Sequence, residues 1–221
     1  GVQTCALPIS YYLSKKFKVD LFEKEDHFGG HSYTYNIEEP DKSVPVDLGF
    51  IVFNELTYPN LINLFKDLKV LYEKSDMSFS VSVKETNIEY GGKNLNSLFS
   101  NKKNIFNLNF LKMLKEIISF YKLAPNFLKN NCENISLGDF LDNYKVSDYF
   151  KNYHIIPMVA AIWSMPFSKA KDMPLKLFIN FFINHGLFKL KNRPQWFTVT
   201  GRSKNYVAKI LPLIKIGRAH V

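Results

Sequence analysis

The stretch KVDLFEKEDHFGGHSYTY (Lys18–Tyr35) decides the fold class of this 221-residue chain. An apolar run ends at an acidic residue, Glu23, and five residues later the chain turns on Gly29 and Gly30. This order is typical of the second strand of a dinucleotide-binding βαβ unit, whose strand-end carboxylate accepts hydrogen bonds from the adenosine ribose. The first strand and its Gly-x-Gly-x-x-Gly loop should lie roughly twenty residues upstream. Only 17 residues precede Lys18, and the first ten do not resemble that unit.

Two alternatives stay open for these residues when each is considered alone. Glu23 could be an ordinary charged residue at a strand end, and Gly29–Gly30 could be a simple surface turn. Two adjacent glycines also allow positive φ angles that bring backbone N–H groups against a pyrophosphate. The combined spacing of strand, Glu23 and glycine pair favours the dinucleotide interpretation.

The next apolar run, VPVDLGFIVF (Val44–Phe53), also allows two interpretations. Gly49 could leave room for an isoalloxazine ring against the main chain, with Asp47 bracing the loop. Alternatively, the segment is a β-bulge with Asp47 as its capping residue.

Composition excludes several classes of protein. The 46% apolar and 15% aromatic content favours a folded globular chain, and the longest apolar run, Ile155–Trp163, is too short to cross a bilayer. The net charge of +9 comes from 26 Lys and only 3 Arg, scattered along the chain, which argues against nucleic-acid binding. The two cysteines show no metal-ligand or redox spacing, so we expect a reducing, cytoplasmic setting and no metal.

The two ends of the chain, GVQTCALPI and IGRAHV, do not continue the patterns beside them. The bases ATC GGA AGA GCA CAC GTC encode Ile216–Val221, and their reverse complement in another frame encodes Thr4–Pro8. One inverted repeat that resembles a sequencing adapter can therefore encode both ends. We expect residues 1–9 and 216–221 to be foreign, and the native chain to be cut at both ends.

The rest of the chain alternates between strand and helix patterns. Tyr11–Phe17 is predicted to be the tail of a helix, Thr57 the N-cap of another, and Met77–Val83 a strand that turns near Thr86–Asn87. From Asn109 to Gly186 the pattern is helical. One helix is predicted to stop before Pro125. Ser136 (with Asp139) and Ser147 are predicted to cap the next two helices. A further helix is predicted to have Pro174 in its first turn and to end at Gly186, and a strand is predicted at Trp196–Thr200.

Several motifs resemble, in order, the FAD-dependent amine-oxidase-like oxidoreductases. The closest branch is the predicted NAD/FAD-binding proteins of bacteria, and the chain is also similar to the N-terminal flavoprotein-like region of plant cyclopropane-fatty-acid synthases. The resemblance runs from Tyr11 to Ile210. It rests on LFEKEDHFGGHSYTY, VPVDLGFIVFNELTYPNL, EKSDMSFSVSV, AAIWSMP, NHGL and RPQWFTVTGRS.

The resemblance implies an α/β fold: a partial FAD-binding Rossmann-like domain with an inserted, mixed and mainly helical substrate domain. On this basis residues 10–70 belong to the FAD-binding domain, 71–200 to the substrate domain, and 201–215 return towards the FAD-binding domain. The implied cofactor is FAD. Its predicted contacts are Glu23 with the ribose, Gly29, Gly30 and His31 with the pyrophosphate, and the backbone of Gly49, Phe50 and Ile51 with the flavin ring.

The chain departs from the family pattern at two places. His31 stands where many relatives carry Arg, and Gly201–Arg202–Ser203 stands where relatives often have Gly–Gly. The first change puts a charge contribution in question, and the second puts a close backbone approach in question.

The sequence identifies no catalytic residue. His154 and His185 are candidates for proton handling, with a structural role as the alternative, and Trp163 and Trp196 could wall a pocket or belong to the core. The expected activity is hydride transfer from a small apolar or lipid-like substrate to flavin, with the cut chain itself inactive. The alternative is a non-catalytic module that binds lipid or flavin beside a lipid-modifying enzyme. The Phe-rich segment Leu177–Phe188 could line an acyl-chain tunnel, touch a membrane surface or pack in the core.

Overall fold

The computed structural model describes residues 6–128 and 134–218, and the chain divides into two compact units. Unit 1 combines Gly1–Met77 with Pro194–Val221, and unit 2 is the continuous segment Ser78–Arg193. The predicted mixture of helices and strands is confirmed. The unit boundaries differ from the predicted 70/71 and 200/201, because two strands that flank unit 2 pair with each other inside unit 1.

Unit 1 is held by short strands. Strand β1 (Asp20–Glu23) pairs in parallel with β9 (Lys215–Arg218), so the strand predicted at KVDLF is present, but it starts at Asp20 because Lys18 and Val19 have no strand geometry. The apolar run Val44–Phe53 divides between two strands, because Leu48–Val52 has no strand geometry. The antiparallel pairs are β2 (Thr34–Glu39) with β3 (Lys42–Asp47), and β8 (Trp196–Val199) with both β4 (Phe53–Asn54) and β5 (Tyr72–Ser75).

The helices of unit 1 cover an aromatic core. The rings of Phe53 and Phe65, both fully buried, lie 5.2 Å apart, and Tyr206 lies 5.3 Å from Phe65. Such edge-to-face and tilted pairs add to the free energy that burial of the rings contributes. The helices are α1 (Ala6–Ser14), α2 (Pro59–Asp67), α10 (Lys204–Ile210) and the 3₁₀ turn Leu211–Leu213.

Helix α1 differs from its sequence prediction at both ends. It begins at Ala6, inside the segment predicted to be foreign, and strand β9 likewise includes residues 216–218. It ends at Ser14 rather than Phe17, because residues 15–17 form a turn in which the N–H groups of Lys16 and Phe17 both donate to the carbonyl of Leu13.

Unit 2 packs a hairpin against helices. Strands β6 (Ser80–Val83) and β7 (Ile88–Gly91) pair across a turn in which Asn87 has a φ of +54°, as the alternating pattern predicts. Strand β6 starts three residues after the predicted Met77. The helical elements are α3 (Leu95–Leu98), the 3₁₀ helix Lys102–Phe106, α4 (Leu108–Phe127), α5 (Leu137–Asn143), α6 (Asp148–Phe150), the π-helix Lys151–Ile155, α7 (Ile156–Trp163), α8 (Phe167–Ala170) and α9 (Leu175–Asn184).

Two predicted helix caps in unit 2 are confirmed. The hydroxyl oxygen of Ser136 accepts a hydrogen bond from the N–H of Asp139 at 3.0 Å, and that of Ser147 accepts one from Phe150 at 3.2 Å. Each bond satisfies a backbone donor that has no partner within its own helix.

The predicted end of α4 is wrong. The helix continues through Pro125 to Phe127, because a proline in the last turn removes only one hydrogen bond while the ring of Phe127 packs 4.7 Å from Phe140.

The predicted start of α9 is off by one residue, since Pro174 is the N-cap rather than a residue of the first turn. Gly186 follows the helix with a φ of +65°. In the described ranges 6–128 and 134–218, no helix is both long and apolar enough to span a bilayer.

The core of unit 2 contains a polar chain around the fully buried imidazole of His154. The Tyr90 hydroxyl donates to the carbonyl of Tyr153 at 2.7 Å and lies 2.9 Å from Nδ1 of His154. Because this hydroxyl has only one proton, it must accept from Nδ1–H. The other ring nitrogen, Nε2, is then the acceptor for the Tyr121 hydroxyl at 3.0 Å. Burial lowers the pKa of His154 to about 3, and it raises the pKa of both tyrosines.

Pro157 explains why the Tyr153 carbonyl needs an outside donor. In an α-helix this carbonyl would accept from the N–H of residue 157, and Pro157 has none. The chain widens locally, so that the N–H of Ile156 donates to the carbonyl of Lys151, five residues back. The Tyr90 hydroxyl therefore takes the place of the missing backbone donor.

The first prediction concerns the pH dependence of stability. His154 binds a proton with a pKa of about 3 in the folded chain, below its ordinary value of 6.5, so the unfolded state binds the proton more tightly. The free energy of unfolding should be highest above pH 6.5 and should fall as the pH drops towards 3. The slope due to this group should approach about 1.4 kcal/mol per pH unit.

Urea denaturation at a series of pH values measures this slope. In His154→Gln the part due to this residue should disappear, whereas all carboxylates contribute equally to both proteins. His31→Gln, at an exposed position, controls for removal of a histidine as such. Equal slopes for wild type and His154→Gln would contradict the prediction.

Candidate functional site

Glu23 lies at the carboxyl end of the parallel strand β1. Its Oε1 accepts hydrogen bonds from the N–H groups of Lys24 at 2.8 Å and Glu25 at 3.1 Å, which fixes the carboxylate over the turn that follows the strand. No described residue donates to its Oε2. The strand end therefore presents a positioned carboxylate oxygen that can accept further hydrogen bonds.

The glycine pair turns the chain in a conformation that favours glycine. Gly29 has a φ of +110° and Gly30 a φ of +54°. A Cβ on Gly29 would lie 2.9 Å from the carbonyl oxygen of Ser32 and 3.0 Å from a methyl group of Val207 in α10. No described residue accepts a hydrogen bond from the N–H groups of Gly30 or His31. Two adjacent backbone donors are thus available at the turn, as anion binding by backbone requires.

Gly49 is required by close contact between two backbone segments. A Cβ on Gly49 would lie 2.3 Å from the carbonyl oxygen of His31, which no packing adjustment of a side chain could relieve. The same carbonyl accepts from the N–H of Phe50 at 2.7 Å, and the N–H of Leu48 donates to the carbonyl of Tyr33 at 3.0 Å. These bonds extend the β2–β3 hairpin and bring the predicted pyrophosphate and ring segments together.

Phe50 and Ile51 have different environments. The Phe50 ring packs 6.2 Å from Phe53 and 6.3 Å from Tyr206, so its side chain belongs to the core of unit 1. The side chain of Ile51 is exposed, and its carbonyl accepts a hydrogen bond from the Thr198 hydroxyl at 2.9 Å. Contact of this segment with a flavin ring stays a prediction.

The buried carboxylate of Asp47 holds the start of helix α10. Its Oδ1 accepts from the hydroxyls of Thr34 at 2.6 Å and Ser203 at 2.7 Å. The N–H of Ser203 lies 3.1 Å from both carboxylate oxygens, and the N–H of Lys204 donates to the Thr34 hydroxyl at 3.0 Å. A negative charge is favourable at this position because the helix dipole and unpaired N–H groups make the N-terminus positive.

Ser32 and Tyr206 form a second link to the same helix. Both side chains are buried, and their hydroxyl groups share a hydrogen bond. Sequence reasoning identified Asp47 as a brace but missed Thr34, Ser203, Ser32 and Tyr206. A serine directly before the apolar pattern of α10 was the available signal, since serine is a common N-cap residue.

Arg202 keeps the backbone shape expected of a glycine. It has a φ of +80° and follows Gly201, whose φ is +73°. A left-handed φ is strained for any residue with a Cβ. The Nε of Arg202 donates to the carbonyl of Pro45 at 2.9 Å, which offsets part of this cost. Arg202 therefore has the left-handed backbone that a glycine would favour, in spite of its side chain.

Asn54 lies fully buried at the end of β4, and a turn joins it to α2. Its Oδ1 accepts from the N–H groups of Leu56 and Thr57 and from the Thr57 hydroxyl, at 3.0, 2.9 and 3.1 Å. The prediction that Thr57 is the N-cap is wrong, because these bonds occupy it and α2 starts at Pro59 after Tyr58. Within the described residues, the Nδ2 of Asn54 is the buried side-chain atom that lacks a hydrogen-bond partner.

The other predicted candidates lie elsewhere. His154 is enclosed by tyrosines in unit 2, which favours a structural role. The imidazole of His185 stacks 3.9 Å from the ring of Phe181, and Trp163 packs 4.7 Å from the same ring. Trp196 is buried in unit 1. The part of the chain that the structure describes contains no cluster of three or more metal-ligating side chains.

The Phe-rich segment is mainly core. Phe178 and Phe182 have no exposed surface, and their rings lie 4.2 Å apart within the core of unit 2. Leu177 and Ile183 are exposed on the opposite side of α9. Of the three roles predicted for this segment, packing in the core therefore explains its phenylalanines.

Comparison with family models confirms the Rossmann-like part of the prediction. Residues 4–68 match the model of an NAD(P)-binding Rossmann-like domain. This range contains the predicted ribose and pyrophosphate residues Glu23, Gly29, Gly30 and His31. A search of curated proteins finds no match.

Solved structures with a similar fold include two forms of putrescine oxidase whose cofactor binding was redesigned. The triple mutant A394C-A396T-Q431G superposes with a TM-score of 0.63 at 14% identity, over 99% of this chain and 48% of its own length. The A394C mutant superposes with a TM-score of 0.59 at 15% identity, over 96% of this chain and 47% of its own length. An oxidoreductase from Methanosarcina mazei superposes with a TM-score of 0.55 at 17% identity, over 96% of this chain and 48% of its own length.

These likenesses show the fold, and the chain spans about half the length of each solved structure, 48% of the first. The fold predicted from the amine-oxidase-like resemblance is therefore supported at the level of architecture. The similarity to plant cyclopropane-fatty-acid synthases stays a prediction, as do the roles of the individual site residues.

The second prediction tests the Asp47 link. In Asp47→Asn one carboxylate oxygen becomes an NH₂ group that faces donors, so the N–H and hydroxyl of Ser203 lose part of their acceptor. The free energy of unfolding should fall by about 2–3 kcal/mol. Urea denaturation measures it. Asp41→Asn, at an exposed turn, is the matched control and should change stability by less than about 0.5 kcal/mol. Equally small changes in the free energy of unfolding for Asp47→Asn and Asp41→Asn would show that the carboxylate of Asp47 contributes nothing to stability.

The third prediction tests the strain at Arg202. Arg202→Ala and Arg202→Gly both remove the bond to Pro45, but only glycine relieves the positive φ. The Gly variant should be more stable than the Ala variant by roughly 0.5–1 kcal/mol. The same pair at Lys209, inside α10, should show the opposite order, because glycine is unfavourable within a helix. Thermal and urea unfolding compare the four proteins, and an Ala variant at position 202 as stable as Gly would refute the strain.

Proposed function

We propose that this chain is part of an FAD-dependent oxidoreductase related to the amine oxidases. When bound, the cofactor would supply a hydride acceptor for a C–H bond of the substrate, the one next to nitrogen if the substrate is an amine. The chain's own residues would bind the cofactor, orient it and exclude water. The observation that carries the proposal is a parallel strand that ends in a fixed carboxylate, Glu23, followed by a glycine turn with two available N–H donors.

The donor set of this segment fits a dinucleotide. The Oε2 of Glu23 can accept a hydrogen bond from a ribose hydroxyl, and the backbone N–H groups of Gly30 and His31 can donate to a pyrophosphate. The match of residues 4–68 to an NAD(P)-binding Rossmann-like domain supports the same assignment. These groups would act before any chemistry, by fixing the position of the cofactor.

The segment after strand β3 supports a flavin more than a nicotinamide dinucleotide alone. Gly49 brings this segment into backbone contact with His31 at the glycine turn, so one cofactor could touch both. The buried Nδ2 of Asn54, five residues further on, has no described acceptor and could donate to a carbonyl of a bound group. The predicted ring contacts are the backbone of Gly49, Phe50 and Ile51.

The proposed substrate is small and apolar or lipid-like. The support is the resemblance to the N-terminal region of plant cyclopropane-fatty-acid synthases. The second candidate function is a non-catalytic module that binds lipid or flavin beside a lipid-modifying enzyme. Since the putrescine oxidase structures share only the fold, an amine substrate is an equal outcome for the test below.

The fourth prediction concerns the cofactor. The gene product that contains this chain, purified from its genomic context, should show flavin absorbance that dithionite bleaches and oxygen restores. Substitution Glu23→Gln should weaken FAD binding roughly tenfold, because hydrogen bonds to a charged acceptor are lost. Glu25→Gln, two residues away and exposed, is the matched control. Isothermal titration calorimetry with FAD gives both affinities.

Three results would overturn the proposal in different ways. Bound NADH without flavin absorbance would point to a nicotinamide-dependent dehydrogenase. A protein without flavin that binds lipid would favour the module. Equal FAD affinity for Glu23→Gln and wild type would remove Glu23 from the site.

A further inference from the structure

Unit 2 exposes a cluster of large apolar side chains where the 3₁₀ helix leads into α4. We call this cluster the Phe106 surface. Phe106 and Leu108 expose 86% and 81% of their area, which is far more than a side chain of this size usually shows. The full set is Ile105, Phe106, Leu108 and Leu111.

Three asparagines hold the backbone of this surface in place. The buried amide of Asn104 donates to the carbonyl of Glu89 at 2.9 Å, and that of Asn101 donates to the carbonyl of Asn87 at 2.8 Å. Asn107 caps α4 by accepting from the N–H of Phe110 at 3.2 Å, and its amide donates to the Tyr149 hydroxyl at 3.0 Å. The apolar side chains are therefore presented by a fixed scaffold, so little ordering cost remains for binding.

The stretch of chain that carries the Phe106 surface is basic, although the exposed Glu89, whose backbone carbonyl accepts from Asn104, lies beside it. From Lys93 to Lys115 the sequence contains five lysines and neither Asp, Glu nor Arg. Lys102, Lys103 and Lys112 are exposed, and none of them forms an ion pair with a described residue. A partner with an apolar centre and negative groups around it would match these exposed side chains.

The same combination continues along α4. Leu108, Leu111, Lys112 and Lys115 are spaced three, four and seven residues apart, so they lie on one face of the helix, and all four are exposed. A helix that presents bulky apolar side chains and lysines together is typical of segments that lie in the interface of a membrane. Lysine suits this position because its long apolar stem can remain in the acyl region while its ammonium group stays among the headgroups.

We propose that the Phe106 surface docks on a lipid bilayer that contains anionic headgroups. Phe106 and Leu108 would enter the boundary between headgroups and acyl chains, and Lys102, Lys103 and Lys112 would contact the headgroups. The charge of this segment favours a lipid surface, because Lys102, Lys103 and Lys112 stand beside the apolar residues in a stretch, 93–115, that contains no acidic residue. The inference stands on unit 2 and is independent of the cofactor.

Vesicle co-sedimentation of the chain tests this docking. With phosphatidylcholine vesicles that contain roughly 30 mol % phosphatidylserine, the wild-type chain should sediment, and it should bind far less to phosphatidylcholine alone. Raising the salt from about 0.1 M to about 1 M should release much of it. The double variant Phe106→Ser/Leu108→Ser should bind at least about tenfold more weakly. Lys102→Gln/Lys103→Gln should also lose about tenfold, and only on the anionic vesicles.

Two controls keep the test decisive. Leu71→Ser removes an apolar side chain that is 74% exposed in unit 1, and it should bind vesicles like wild type. Phe106→Trp, which keeps the surface apolar, should shift its fluorescence to the blue on anionic vesicles even if the serine variant folds poorly. Wild-type protein that ignores anionic vesicles, or a serine double variant that binds as well as wild type, would overturn the proposal. Self-association in ultracentrifugation that is lost in the double variant would assign the surface to a second copy instead.

Discussion

Unit 1 depends on one buried carboxylate, that of Asp47, which accepts hydrogen bonds from the start of helix α10. The two partners, Asp47 and Ser203, are separated by 156 positions, and unit 2 lies between them in the chain. A charged group is rarely buried unless it is paired, and here the partners are backbone and hydroxyl donors at a helix N-terminus. The return of the chain to unit 1 after unit 2 is therefore fixed by chemistry at one point, and the neighbouring contacts of Ser32 and Gly29 with α10 follow from it.

That fixed point also explains the glycines of the candidate site. With α10 held against the hairpin, Val207 leaves no room for a side chain at Gly29, and the carbonyl of His31 leaves none at Gly49. At both positions the absence of a Cβ permits the local packing, and it would also leave room for the proposed cofactor. The two interpretations of Gly49 from sequence are thus not exclusive, because the contact with His31 brings the two predicted cofactor segments together.

Local signals in the sequence were sufficient for part of the fold. The strand at KVDLF, the β6–β7 hairpin and the caps at Ser136 and Ser147 depend on residues that are close in sequence, and the structure confirms them. The family model confirms the Rossmann-like region around Glu23. The links from Asp47 to Ser203 and from Tyr90 to His154 join residues 156 and 64 positions apart, and no local pattern encodes such pairs. The early end predicted for α4 failed because aromatic packing of Phe127 outweighs the lost bond at Pro125.

The π-helix has a consequence for how this chain can vary. Pro157 withholds a backbone donor from the carbonyl of Tyr153, and the hydroxyl of Tyr90 supplies the replacement from a strand 63 positions earlier than that carbonyl. A residue with an N–H at position 157 would restore the backbone bond and free the hydroxyl at position 90. Loss of that hydroxyl while Pro157 remains would leave a buried carbonyl and the Nδ1–H of His154 unsatisfied. Positions 90 and 157 are therefore coupled in one direction, since related sequences that keep Pro157 should also keep the hydroxyl at position 90.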